Sequence, residues 1–96
     1  MGKALAAVIG FASIAAAVVA AAEPPAGAAA CSGCHPASAR VASPVSRLVG
    51  LDRAAIVRAM QDFRSGQRAA TVMDRIAKGF TDDEIQAIAA WYASQR

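Results

Sequence analysis

Apolar and polar positions alternate with a helical period in two parts of this chain, and nowhere with the period of a strand. Ile56, Val57, Met60 and Phe63 recur at helical spacing, with Arg58 and Asp62 on the opposite side. Asp52 stands where an N-cap belongs, and Ser65-Gly66 supplies the stop. The last segment has the clearest start. Thr81 and Glu84 have the spacing of a capping box, and Phe80 and Ile85 that of a hydrophobic staple outside it. From there Ile85, Ile88, Ala89 and Tyr92 line one face, with Trp91 at its edge. A third, shorter helix is expected over Ala28 to His35, stopped near Pro36. Between these segments, residues 36–51 are rich in Ser and Pro and read as a loop. Residues 67–80 read as a second loop with a single turn around Met73 to Ala77, closed by Gly79. The pattern predicts an all-α domain of three main helices whose loops are too long for a tight bundle. Loops of that length suit a chain that wraps something.

Ahead of this lies a stretch of another kind. Lys3 is followed by Ala4 to Ala22 without a charge, ending in small residues before Glu23-Pro24-Pro25. A basic start, an apolar run and a small-residue end predict a secretory leader over residues 1–22, cleaved after Ala22. The competing reading is an uncleaved anchor, because the run approaches the ~20 residues that span a bilayer. Its alanine content makes it only weakly hydrophobic, which favours removal. A lipoprotein reading of Ala28-Ala29-Ala30-Cys31 fails, since Cys31 lies well past the apolar run. Cleavage would leave a flexible tail over 23–27, no stable membrane insertion, and one small domain over 28–96. A domain this size has trouble burying enough apolar surface by itself. Two cysteines give at most one disulfide, so a larger staple is expected.

Charge adds one feature. The net charge is +3, and between Arg40 and Lys78 the basic residues (Arg40, Arg47, Arg53, Arg58, Arg64, Arg68, Arg75, Lys78) outnumber Asp52, Asp62 and Asp74. For any single arginine a solvated surface is the better reading. Together they suggest a positive face for an acidic partner or for cofactor carboxylates. With no basic stripe interleaved with aromatics, nucleic acid is not an expected partner.

The chemistry is concentrated in CSGCHP, residues 31–36, which holds both cysteines and the single histidine. A zinc site would need a fourth ligand, and no other Cys or His exists. A thioredoxin-like dithiol would need a strand-rich fold. Cys-x-x-Cys-His reads as a covalent attachment site for a c-type haem. Two thiols one turn apart can each add to a vinyl group, and the next residue then aims an imidazole at the iron. The sixth iron position has Met60, Met73, a lysine or nothing as candidates. Met60 shares its face with Ile56 and Phe63, which favours core packing. Met73 stands in a loop between Gly66 and Gly79, a setting that favours ligation as in His/Met cytochromes.

With these residues in place, the chain resembles small monohaem class I c-type cytochromes along nearly its whole length after the leader. FRSGQR (63–68) and ATVMDRIAKGFTDDEIQAIAAWYASQ (70–95) are similar to the cytochrome subunit of flavocytochrome c sulfide dehydrogenases, and more broadly to related diheme cytochromes. The resemblance implies a class I cytochrome c fold around one haem, thioethers at Cys31 and Cys34, and His35 and Met73 as axial ligands. It also implies an aromatic, Trp91, where the first and last helices cross. Leu48, Ile56, Met60, Phe63 and Ile76 are candidate pocket residues, and Arg64 and Arg68 candidate propionate partners. Two departures stand out. The family's Pro-x-Leu-x-Gly segment, whose Pro carbonyl holds the axial imidazole, reads Ser46-Arg47-Leu48-Val49-Gly50 here, with Pro44 two residues early. Ser46 and Pro44 are both candidates for that carbonyl. With one CxxCH, this chain is not a diheme subunit.

The function expected from this is electron transfer in the periplasm, with no catalytic site of the chain's own. One reading makes it the subunit that accepts electrons from an FAD flavoprotein oxidising sulfide, passing them to an acidic or haem-bearing acceptor. The alternative is a free carrier between respiratory complexes, steered by its arginines. A third is a gas-binding or sensor haem with an open sixth position, which needs Met73 not to bind. The early position of the haem motif counts against it.

Overall fold

The computed structural model describes residues 2–17 and 22–95. Among the described residues there are four helices and no strand: α1 (Ala28–Cys31), α2 (Arg53–Ser65), α3 (Met73–Ala77) and α4 (Asp82–Ser94). The chain is helical, as its periodicity predicts. Only α2 and α4, at 13 residues each, are long helices.

The first long helix starts and stops, and the second starts, where the sequence predicts. The Asp52 carboxylate accepts from the Ala55 N–H at 3.1 Å, satisfying one of the open donors of the first turn of α2. Gly66 closes the helix in the left-handed conformation (φ 82°), donating its N–H to Phe63 O. At α4 the capping box is complete. Glu84 N–H donates to Thr81 Oγ1 (3.2 Å), and Thr81 N–H to Glu84 Oε1 (3.0 Å).

The first helix is shorter than expected. It ends at Cys31 and continues as tight turns, with Gly33 N–H bonded to Ala30 O and Cys34 N–H to Cys31 O. Those i→i+3 bonds wind the chain more tightly than an α-helix, and Pro36 disfavours helical geometry at His35. The three main helices expected are therefore two long ones and two short ones.

The core consists of Ala28, Ile56, Val57, Met60, Ala77, Ile85, Ile88, Ala89 and Tyr92. It is formed by α2 lying against both α3 and α4, with α1 touching it through Ala28. Ile85 is 2 % exposed, so its burial contributes roughly 1.5–3 kcal/mol. Every residue of the core lies at or beyond Ala28.

Residues 2–17 carry no helix, and Leu5, Val8, Ile9, Phe11 and Ile14 are 80–95 % exposed. The expected cleavage-side end of the leader, residues 18–21, lies outside the described residues. Among the described residues, no helix is long and apolar enough to cross a membrane. The radius of gyration is 24.1 Å, where a compact chain of this length has about 12 Å. The molecule as a whole is extended.

Candidate functional site

The CSGCH turn is built by the end of α1 and the tight turns after it. Gly27 precedes α1 with φ 85°, a left-handed conformation open to glycine. Its Cα also lies against the Phe80 ring, where a Cβ would come within 2.5 Å of a ring carbon. His35 N–H donates to Cys31 O at 2.9 Å, holding the histidine one turn from the first cysteine. Cys31 is half-buried and Cys34 exposed, and both are free thiols.

The imidazole has a defined tautomer. His35 Nδ1 lies 2.5 Å from Ser46 O. A carbonyl can only accept, so Nδ1 is the donor, which in the neutral imidazole leaves the lone pair on Nε2. Metal-binding histidines are oriented in this way, with the second ring nitrogen donating to a backbone carbonyl. Of the two candidate carbonyls, Ser46 holds the ring, although it is not a proline.

Burial pushes the Cys31 thiol above its ordinary value, more than its own backbone and the Tyr92 hydroxyl pull it down. Tyr92 is itself raised, first by burial and then by the neighbouring Cys31. Its hydroxyl donates to Ala28 O at 2.5 Å, joining α4 to α1.

The other candidate residues fall into separate groups. Cys31, Leu48, Val49, Phe63, Met73, Phe80 and Trp91 are partly buried and lie against the core. Cys31, Leu48, Phe63 and Met73 thus each pack against the core. Ile56 and Met60 sit inside the core itself (5 and 9 % exposed), so they are covered by protein. Ile76 is 41 % exposed. Met73 is the first residue of α3, which no side chain caps.

Arg64 is engaged within the fold. It donates to Asp82 Oδ1 (2.6 Å) and to Phe80 O (3.1 Å), so the fold itself holds the guanidinium. Its Nε is covered by protein and has no hydrogen-bond partner among the described residues. Arg68 is exposed and lies over the Phe63 ring, 5.0 Å from the centroid.

Two shallow cavities flank this region and include none of Cys31, Cys34, His35 and Met73. One, of about 270 Å³, lies along α2 by Arg58 and Arg68, and the other, of about 400 Å³, by Arg47 and Gln95.

Two free thiols and an imidazole with an available Nε2, on one turn beside a half-buried apolar surface, are a donor set that fits a covalently attached haem. Sequence reasoning missed two contacts that build it: the Tyr92 hydroxyl on α1, where Trp91 was expected at the helix crossing, and the Phe80 ring on Gly27. Only the glycine before a helix hinted at the second.

The chain is 38 % identical over 64 residues to the cytochrome subunit of sulfide dehydrogenase from Chlorobaculum tepidum, covering 67 % of this chain and 58 % of that protein. It is 40 % identical over 63 residues to the thiosulfate dehydrogenase electron acceptor of Stutzerimonas stutzeri, covering 64 % of this chain and 29 % of that protein. The chain thus spans less than two thirds of the length of either relative. No family model matches it. By these similarities, the chain is cytochrome c-like.

Proposed function

We propose that this chain is a periplasmic monohaem electron-transfer protein accepting electrons from a dehydrogenase of reduced sulfur compounds. A haem c, when bound, supplies one-electron exchange between Fe(II) and Fe(III). Cys31 and Cys34 would hold it by thioethers, with His35 Nε2 and the Met73 thioether as axial ligands. The observation that carries the reading is the His35–Ser46 hydrogen bond, which leaves Nε2 free on the same turn as two free thiols. Met73 is half-buried and, like Cys31, packs against the core, which supports a filled sixth position over an open one. A protein with both axial positions filled transfers electrons and leaves substrate chemistry to its partner.

Residues 28–96 would form the haem domain in a class I cytochrome c fold, after a cleaved leader (1–22) and a tail (23–27). The donor proposed is a flavoprotein that oxidises sulfide, with an acidic or haem-bearing acceptor downstream. The subunit named in the Chlorobaculum relative supports a permanent complex. The electron acceptor named in the Stutzerimonas relative favours a second reading, a free carrier.

The test is purification from cells that make the protein natively. Pigment that survives acid–acetone extraction, and is lost in a Cys31→Ala/Cys34→Ala variant, is the expected result. A flavin absorbance co-eluting with the haem supports the complex. A haem protein eluting alone at monomer size supports the carrier, and a colourless product refutes both.

A further inference from the structure

Arg64 is the last-turn residue of α2, and its side chain reaches across to the start of α4. One guanidinium nitrogen binds Asp82, the first residue of α4, and another binds the Phe80 carbonyl just before the cap. These two points are the far end of the loop that leaves α2 at Gly66 and carries Met73. A single side chain therefore ties the exit of that loop to its entrance.

The exposed ion pair alone contributes little, because the Asp82 side chain is 76 % exposed. The bond to the backbone carbonyl is the one that restrains the chain. Phe80 is also the residue whose ring lies against Gly27, immediately ahead of the turn bearing Cys31 and His35. Holding the Phe80 backbone therefore fixes the corner between the Met73 loop and the CSGCH turn.

We propose that Arg64 is a positioning residue that holds the Met73 loop closed against the histidine-bearing turn, rather than a partner for cofactor carboxylates. This rests on the axial role proposed for Met73. With a haem bound, such a clamp would hold the Met73 thioether in place in either oxidation state.

The test uses the haem-loaded protein and reads the weak long-wavelength band of a methionine–ferric iron bond, together with the rate at which added imidazole displaces that ligand. In Arg64→Met the displacement rate is expected to rise roughly ten- to a hundredfold, the loss of hydrogen bonds from a charged donor. Arg64→Lys, with one nitrogen in place of a fork, should fall between the two proteins. Asp82→Asn, a milder change that keeps the Phe80 bond, should raise the rate less than Arg64→Met and serves if that variant fails to fold. An unchanged rate in Arg64→Met, with the methionine band present in the parent, overturns the clamp alone. A shifted midpoint potential at an unchanged rate identifies Arg64 as a propionate partner and also overturns it. Absence of the band in the parent protein overturns the Met73 assignment, and the clamp with it.

Discussion

Gly27 and Gly66 have nearly the same backbone conformation, φ 85° and 82°, but different surroundings. A Cβ at Gly66 would meet nothing within 4 Å, whereas at Gly27 it would strike the Phe80 ring at 2.5 Å. Gly66→Ala therefore measures the left-handed conformation alone and should cost about 1 kcal/mol in a denaturant titration. Gly27→Ala adds overpacking and should cost roughly 2–4 kcal/mol. Equal costs would mean that Phe80 yields and does not seat the attachment turn. Neither residue type nor spacing reveals this difference, because the ring arrives from a residue far away in sequence. The residues that bear the chemistry are legible, since Cys-x-x-Cys-His is a local motif. The carbonyl that orients His35 was narrowed by sequence to Ser46 or Pro44, and tertiary geometry selects Ser46.

The capping box that starts α4 joins α3 and its loop to the longest apolar face of the chain. Thr81→Ala should destabilise the protein by about 1 kcal/mol, read as a lower midpoint in thermal or chemical unfolding. The box should also carry a pH dependence. The Thr81 backbone N–H, and then its side chain, hold the Glu84 carboxyl below the ordinary carboxylate value. A lowered folded pKa means that the stabilising contribution is present above the unfolded value and lost as pH falls through the folded one. Glu84→Gln keeps an acceptor oxygen but cannot titrate, so its stability should lack this acid-side decline. Parallel pH profiles for the two proteins would rule the contribution out. Elements with local signals, α2 with its Asp52 cap and α4 with its box, are readable from sequence because caps act within one turn. The length of α1 is not, because it depends on the tight turns at Gly33 and Cys34.

The core is small: nine of the described residues, of which Ile56, Ile85, Ile88 and Tyr92 are the large side chains at most 6 % exposed. Leu48, Val49, Phe63, Met73, Phe80 and Trp91 cover it incompletely and remain half-buried. Such a chain should depend on its cofactor for cooperative folding. The Cys31→Ala/Cys34→Ala polypeptide is expected to show weakened helical circular dichroism and a broad melt beside the sharp transition of the pigmented protein. An equally sharp transition without pigment would show that the helices condense by themselves.

Sequence by itself determined the helical class, the two capped helices and the face of α4 that turns inward, all of them local consequences of spacing and caps. Tertiary structure decided which distant residues meet. It put Ser46 on His35, Tyr92 on α1, Phe80 on Gly27, and Arg64 on Asp82. Those contacts join positions 11 to 64 residues apart along the chain. No periodicity records such pairs, because packing selects them only once the helices have come together.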